Sequence, residues 1–93
     1  MIKSFANKET AAIFQGLAPK GFPADVLNMS RRKLKILDAT TVLEHLKVPP
    51  GNRLEALKCN RRGQHSIRIN DQWRLCFLWR DGHSFDVEIV DYH

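Results

Sequence analysis

Apolar residues change their spacing once along the chain, at the "VPPGN" segment of residues 48–52. Ahead of it they recur at helical intervals. Thr10, Ile13, Phe14 and Leu17 share one face of a helix that Asn7 can cap and Gly16 can end. Pro19, Gly21 and Pro23 interrupt that pattern. A longer helix is then predicted from about Pro23, whose fixed φ suits a first helical position, with Val26, Leu27, Leu34 and Leu37 turned inward. The "RRKLK" stripe at residues 31–35 falls to solvent in this reading. A short helix over about residues 40–46 follows, after a break at residues 38–41, where side chains compete for backbone hydrogen bonds.

Beyond "VPPGN" the period drops to two. "NRLEALK", "QHSIRIN", "WRLCFLW" and "SFDVEIVDY" read as four strands, with Asp81-Gly82 the strongest turn signal between them. Connections this short join only antiparallel neighbours. The opening "IKSF" can add a fifth strand at an edge, and Trp73 and Trp79 alternate with Leu75 and Phe77 as core residues. The expected fold is therefore α+β, with N-terminal helices packed on one face of a C-terminal antiparallel sheet. Register sharpens the picture. For Ile67 and Ile69 to share a buried face with Trp73, Leu75 and Phe77, the loop must hold Asn70, Asp71 and Gln72, pairing Ile69 with Trp73 and setting Arg68 opposite Arg74. Two such arginines repel unless an acid or an anion lies between them, and their planar guanidiniums suit bidentate contact with phosphate. The alternative is that each points to solvent or reaches Glu88.

Composition confines the chain to one domain over its 93 residues, and it has no apolar run near the ~18 residues of a membrane span. The start turns polar too early for a secretory signal, so the cytoplasm is expected. Cys59 and Cys76 lack metal-ligand spacing and are expected to be reduced and structural. Charge is more informative: 15 Lys and Arg face 10 Asp and Glu, net +5, and Arg53, Lys58, Arg61, Arg62, Arg68, Arg74 and Arg80 gather in the second half. That balance favours a polyanionic partner over a merely soluble basic surface. The chain closes on "EIVDYH", an acid, a phenol and an imidazole after a β-branched pair.

The segments "PPGNRLEALK", "SIRINDQWR" and "VEIVDYH", with "MIKSF" at the start and a helix ending in "LDAT", resemble the HigB-type branch of the RelE/ParE superfamily, toxins of bacterial type II toxin–antitoxin pairs. The resemblance covers nearly all of residues 1–93, while residues 16–30 add little to it. It implies a ribosome-dependent endoribonuclease that cuts messenger RNA in the ribosomal A site. A helix-turn-helix, HigA-like antitoxin would silence it and carry the complex to operator DNA. By similarity, Lys58, Asp91, Tyr92 and His93 belong to the active site. RNA cleavage needs no protein nucleophile, because the ribose 2′-hydroxyl can attack its own phosphate and leave a 2′,3′-cyclic phosphate without metal or cofactor. His93 is the best proton carrier, and its own α-carboxylate would hold its pKa up. Asp91 would orient an imidazole or the 2′-hydroxyl, Lys58 and Arg74 would stabilise the phosphorane, and Tyr92 would stack on a base or position a phosphate. Arg61, Arg62 and Arg68 would add substrate contacts.

Other readings stay open at the level of sequence. Asp91 and His93 could chelate a metal, but no third ligand is spaced to join them, and His45, His65 and His83 look like ordinary surface or core histidines. Some relatives carry histidine where Glu55 stands, which puts a second imidazole in doubt and leaves Glu55 as a candidate base. A ParE-like gyrase poison and a non-catalytic basic RNA-binding module are the alternatives, although no RNP-like aromatic pair, KH loop or zinc knuckle is present.

Overall fold

The computed structural model describes residues 1–58, 61 and 63–91. Two helices precede the sheet. Helix α1 spans Lys8–Phe14, and the Asn7 side chain caps it by accepting from the Thr10 N–H at 2.9 Å. It ends where Gly16 takes a left-handed φ of 92°, allowing the Gly16 and Leu17 N–H groups to donate back to the Ile13 and Ala12 carbonyls. Leu17 therefore lies outside the helix and is 58% exposed, not on the inward face its spacing suggested. Helix α2 spans Ala24–Ala39, with Pro23 one position earlier than expected, as the N-cap. Val26, Leu27, Leu34 and Leu37 are buried as the period required.

The "RRKLK" stripe is only partly solvated. Arg31 reaches back to α1, donating to the carbonyls of Ile13, Gly16 and Leu17. Its guanidinium satisfies acceptors at a helix C-terminus, where a cation also meets the favourable end of the helix dipole. Lys33 donates to the side chain of Asn52. The short helix expected over residues 40–46 is instead a 3₁₀ turn at Leu43–Lys47, because Thr40 caps α2 by donating to the Ile36 carbonyl at 2.6 Å and leaves the helical path.

Among the described residues the sheet has four antiparallel strands in sequence order, β1 (Glu55–Ala56), β2 (Gln64–Arg68), β3 (Trp73–Arg80) and β4 (His83–Asp91). β1 is only two residues long, far shorter than "NRLEALK" suggested. At the opposite edge, the "IKSF" segment pairs with β4 through isolated parallel bridges, Ile2 to Ser84 and Phe5 to Val87. Asp81 and Gly82 turn the β3–β4 hairpin with φ of 53° and 78°, as the Asp-Gly pair required. A register shift follows in β4, where Asp86 has φ 51° and its N–H donates to Ser4 Oγ. The helices cover the sheet face carrying Ile67, Leu75, Phe77, Val87 and Ile89, and this contact is the core. Phe22 and Trp73 close one end of it with ring centroids 5.3 Å apart, while Trp79 packs from the other side against Phe77.

Candidate functional site

Alternation puts Ser66 and Arg68 of β2, and Arg74 and Cys76 of β3, on the face away from the helices. Arg68 pairs directly with Arg74, and Ser66 with Cys76 and with Glu55 of β1. The three-residue loop from Asn70 to Gln72 sets this register, with the Asn70 side chain accepting from the Gln72 and Trp73 N–H groups. Arg74 is firmly held. Its Nη2 donates to Ser66 Oγ at 2.7 Å and to the Arg53 carbonyl at 3.0 Å, and it stands 3.6 Å from Glu55 Oε1. The side chain is 13% exposed, and its buried Nε has no partner among the described residues. Arg68 bonds to Asp71 instead. Neither arginine takes Glu88, which Arg61 bridges at 3.3 Å while also donating to Gln64. Cys76, fully buried and unbonded to another cysteine, lies in this region. Its thiol is pushed up by burial, an effect the Arg61 and Arg74 charges oppose.

The basic character extends beyond the sheet. Residues 50–52 form a 3₁₀ turn that Arg53 closes with a left-handed φ of 48°, so that the Arg53 carbonyl meets Arg74. Asn52 beside it is fully buried. Its amide donates to the Leu46 carbonyl at 3.1 Å and its oxygen accepts from Lys33. Lys33 is held below the usual lysine range by burial first, then by the charges of Arg32 and Arg68. Asp71 is held below the usual carboxylate range by its hydrogen bond to Arg68, with further help from the Arg68 and Arg53 charges. The middle of α2, the residue after the 3₁₀ turn and the β2–β3 hairpin thus share one positive field. Arg53, Ser66 and Lys33 were not singled out as parts of this site from sequence. Ser66 carried a usable signal, two positions before Arg68 on the same strand face. Arg53 carried only its place in the basic cluster of the second half, with no signal for its left-handed backbone.

The other predicted site residues among the described ones lie elsewhere on the sheet. Lys58 is exposed just past β1, and its carbonyl accepts from the Arg61 N–H at 3.2 Å. It therefore lies toward the Gln64 end of β2, away from Arg68. Asp91, the last residue of β4, pairs with Trp73 beside the Arg74–Val90 pair, and Gln72 donates to it at 3.0 Å. Alternation gives it the face of Trp73 rather than that of Arg74. Arg62, Tyr92, His93 and Cys59 lie outside the described residues. Among the described residues, no group of three or more His, Cys, Asp and Glu side chains is arranged to hold a metal ion. No helix among the described residues is long and apolar enough to cross a membrane.

Over residues 3–93 the sequence matches the model of the HigB-like toxins, described as RelE-like toxins of the type II toxin–antitoxin system HigB. The chain belongs to that family. Toxin HigB-1 of Vibrio cholerae serotype O1 is 50% identical over 60 residues, an alignment spanning 64% of this chain and 63% of that protein. Endoribonuclease HigB of Proteus vulgaris is 30% identical over 93 residues, the full length of both. The fold agrees with a solved YoeB–YefM complex from Staphylococcus aureus, matched at a TM-score of 0.60 and 22% identity over 100% of this chain and 98% of that one. As a HigB-like toxin, the chain carries the RelE-like layout of two helices against a four-stranded antiparallel sheet. Its arginine pair lies on the face those helices leave uncovered.

Proposed function

We propose that this HigB-like toxin is a ribosome-dependent endoribonuclease that cuts messenger RNA in the cytoplasm and so arrests translation and growth. The observation that carries this reading is the Arg68–Arg74 pair, set side by side on the sheet face away from the helices, with Arg74 pinned by Ser66 and the Arg53 carbonyl. A guanidinium immobilised before substrate arrives needs little reorganisation as negative charge builds on a phosphorane. The family membership supports the same reading, as does the full-length likeness to a protein named an endoribonuclease.

In this mechanism the ribose 2′-oxygen forms a bond to the adjacent phosphorus and the bond from phosphorus to the 5′-oxygen breaks, giving a 2′,3′-cyclic phosphate without a metal ion. His93 supplies a proton to the departing 5′-oxygen and water takes the 2′ proton, while Asp91, whose side chain takes the face of Trp73, orients the imidazole rather than meeting the phosphate. Lys58 and Arg74 stabilise the phosphorane, Arg68, Arg61 and Arg62 hold neighbouring phosphates, and Tyr92 stacks on a base. A helix-turn-helix antitoxin silences the protein and brings the complex to operator DNA. The test is induction without antitoxin, followed by mapping of RNA 5′ ends with and without ongoing translation. New ends confined to translated messenger are expected. Gyrase inhibition by the purified protein with no RNA cut would replace this reading with a ParE-like one.

A further inference from the structure

Two cations set directly opposite on one sheet face destabilise a strand pair unless their charge is met. Here each arginine has a carboxylate of its own, Asp71 for Arg68 and Glu55 for Arg74. Both acids stand toward solvent. The Asp71 side chain is 98% exposed, and the loop it occupies is organised by Asn70. Glu55 is 57% exposed on the outermost strand and stands 3.6 Å from an arginine already fixed by Ser66 and the Arg53 carbonyl. The Arg61–Glu88 pair is different in kind. Its side chains are 28% and 30% exposed, and it also engages Gln64.

Carboxylate and phosphate oxygens meet a guanidinium alike, here Asp71 as an acceptor from Arg68 Nη2 and Glu55 as a facing charge 3.6 Å from Arg74 Nη2. We propose that Glu55 and Asp71 are internal placeholders for phosphate, which hold the Arg68–Arg74 pair together in the free protein and are displaced when successive phosphodiester groups of single-stranded RNA bind. The choice of RNA as ligand rests on the proposed function; the placeholder role rests on the geometry alone. The device discounts affinity, because each incoming phosphate must first break an ion pair whose acid faces solvent. It also selects among anions. A ligand with two linked phosphates replaces both carboxylates at once, whereas an isolated phosphate leaves one arginine to its acid.

The test uses the full chain with two probes, a 2′-O-methyl RNA oligonucleotide that cannot be cut and inorganic tripolyphosphate. Glu55→Gln and Asp71→Asn should each bind both probes roughly 2- to 5-fold more tightly than the parent, the worth of an exposed ion pair. The Glu55→Gln gain should vanish in an Arg74→Gln background and the Asp71→Asn gain in an Arg68→Gln background. The doubly neutralised protein should also melt at a lower temperature than the parent, and tripolyphosphate should restore it. Binding no tighter than the parent would overturn the placeholder role. So would a gain that persists without the partner arginine, since only the general field would then have changed. If the parent cuts no RNA but both variants gain affinity for tripolyphosphate, the cleavage reading fails and the placeholders stand. If the parent cuts RNA and neither variant gains, the placeholders alone fail.

Discussion

Arg74 combines charge, fixed geometry and near-complete burial, and its neighbours say which of these matters. Both hydrogen bonds and the Glu55 contact involve Nη2. Arg74→Lys keeps the charge but loses the planar fork. On ribosomes programmed with messenger it should recover only part of the cleavage lost in Arg74→Ala, and Ser66→Ala should fall between parent and Arg74→Ala, because it loosens the guanidinium without removing it. Equal rates in all three variants would remove Arg74 from the chemistry. Cys76 gives a second measurement at this scale. Burial raises its thiol pKa in the folded protein, so the contribution is fully present below the unfolded thiol value and is lost as pH rises through the folded one. In a Cys59→Ser background, alkylation of Cys76 at neutral pH should track global unfolding, and stability should decline on the alkaline side. Rapid labelling of the native protein would contradict this.

Between elements, the decisive joint is the bond from Lys33 of α2 to Asn52 in the 3₁₀ turn. Asn52 is fully buried, and it ties the turn to the Leu46 carbonyl while the next residue supplies the carbonyl that receives Arg74. The bond holds although burial and two neighbouring cations disfavour the charged lysine. Lys33→Ala would leave the buried amide oxygen without a donor, at a cost of about 1–3 kcal/mol. Urea denaturation should show that loss, and cleavage should fall further than stability alone explains, because the Arg53 carbonyl would no longer be fixed. A stability unchanged within error would mean that water replaces the amine.

The whole molecule separates its tasks by face. One face of the sheet is closed by α1 and α2 around Leu75, Phe77 and Val87, and the other presents arginines. Binding and proton transfer are accordingly expected to come apart. Lys58→Ala and His93→Gln should slow cleavage by roughly 10² to 10⁴, the usual loss for a missing proton carrier or charge stabiliser, while antitoxin and ribosome binding stay near the parent. A pH–rate profile of His93→Gln that still shows the parent's ionisation near neutrality would take the proton-carrier role away from His93.

What the sequence determined by itself are the features that depend on near neighbours in the chain. The Asn7 cap, the Gly16 stop, the inward stripe of α2, the Asp81-Gly82 turn and the Arg68–Arg74 register all follow from local spacing and turn chemistry. The motifs carried the family as well. Where the reading missed, local rules met a tertiary partner. "RRKLK" looked solvated until Arg31 found the end of α1 and Lys33 found Asn52. The sequence leaves Glu88 open as one acid that the arginine pair could reach, yet the fold gives it to Arg61, 27 residues away, and leaves Glu55 and Asp71 to answer the pair. Period-two alternation fixes which face a side chain takes, but not which of several acids on that face is nearest. That choice depends on strand twist and on where the 3₁₀ turn sets the Arg53 backbone, and both are settled only when the helices pack onto the sheet.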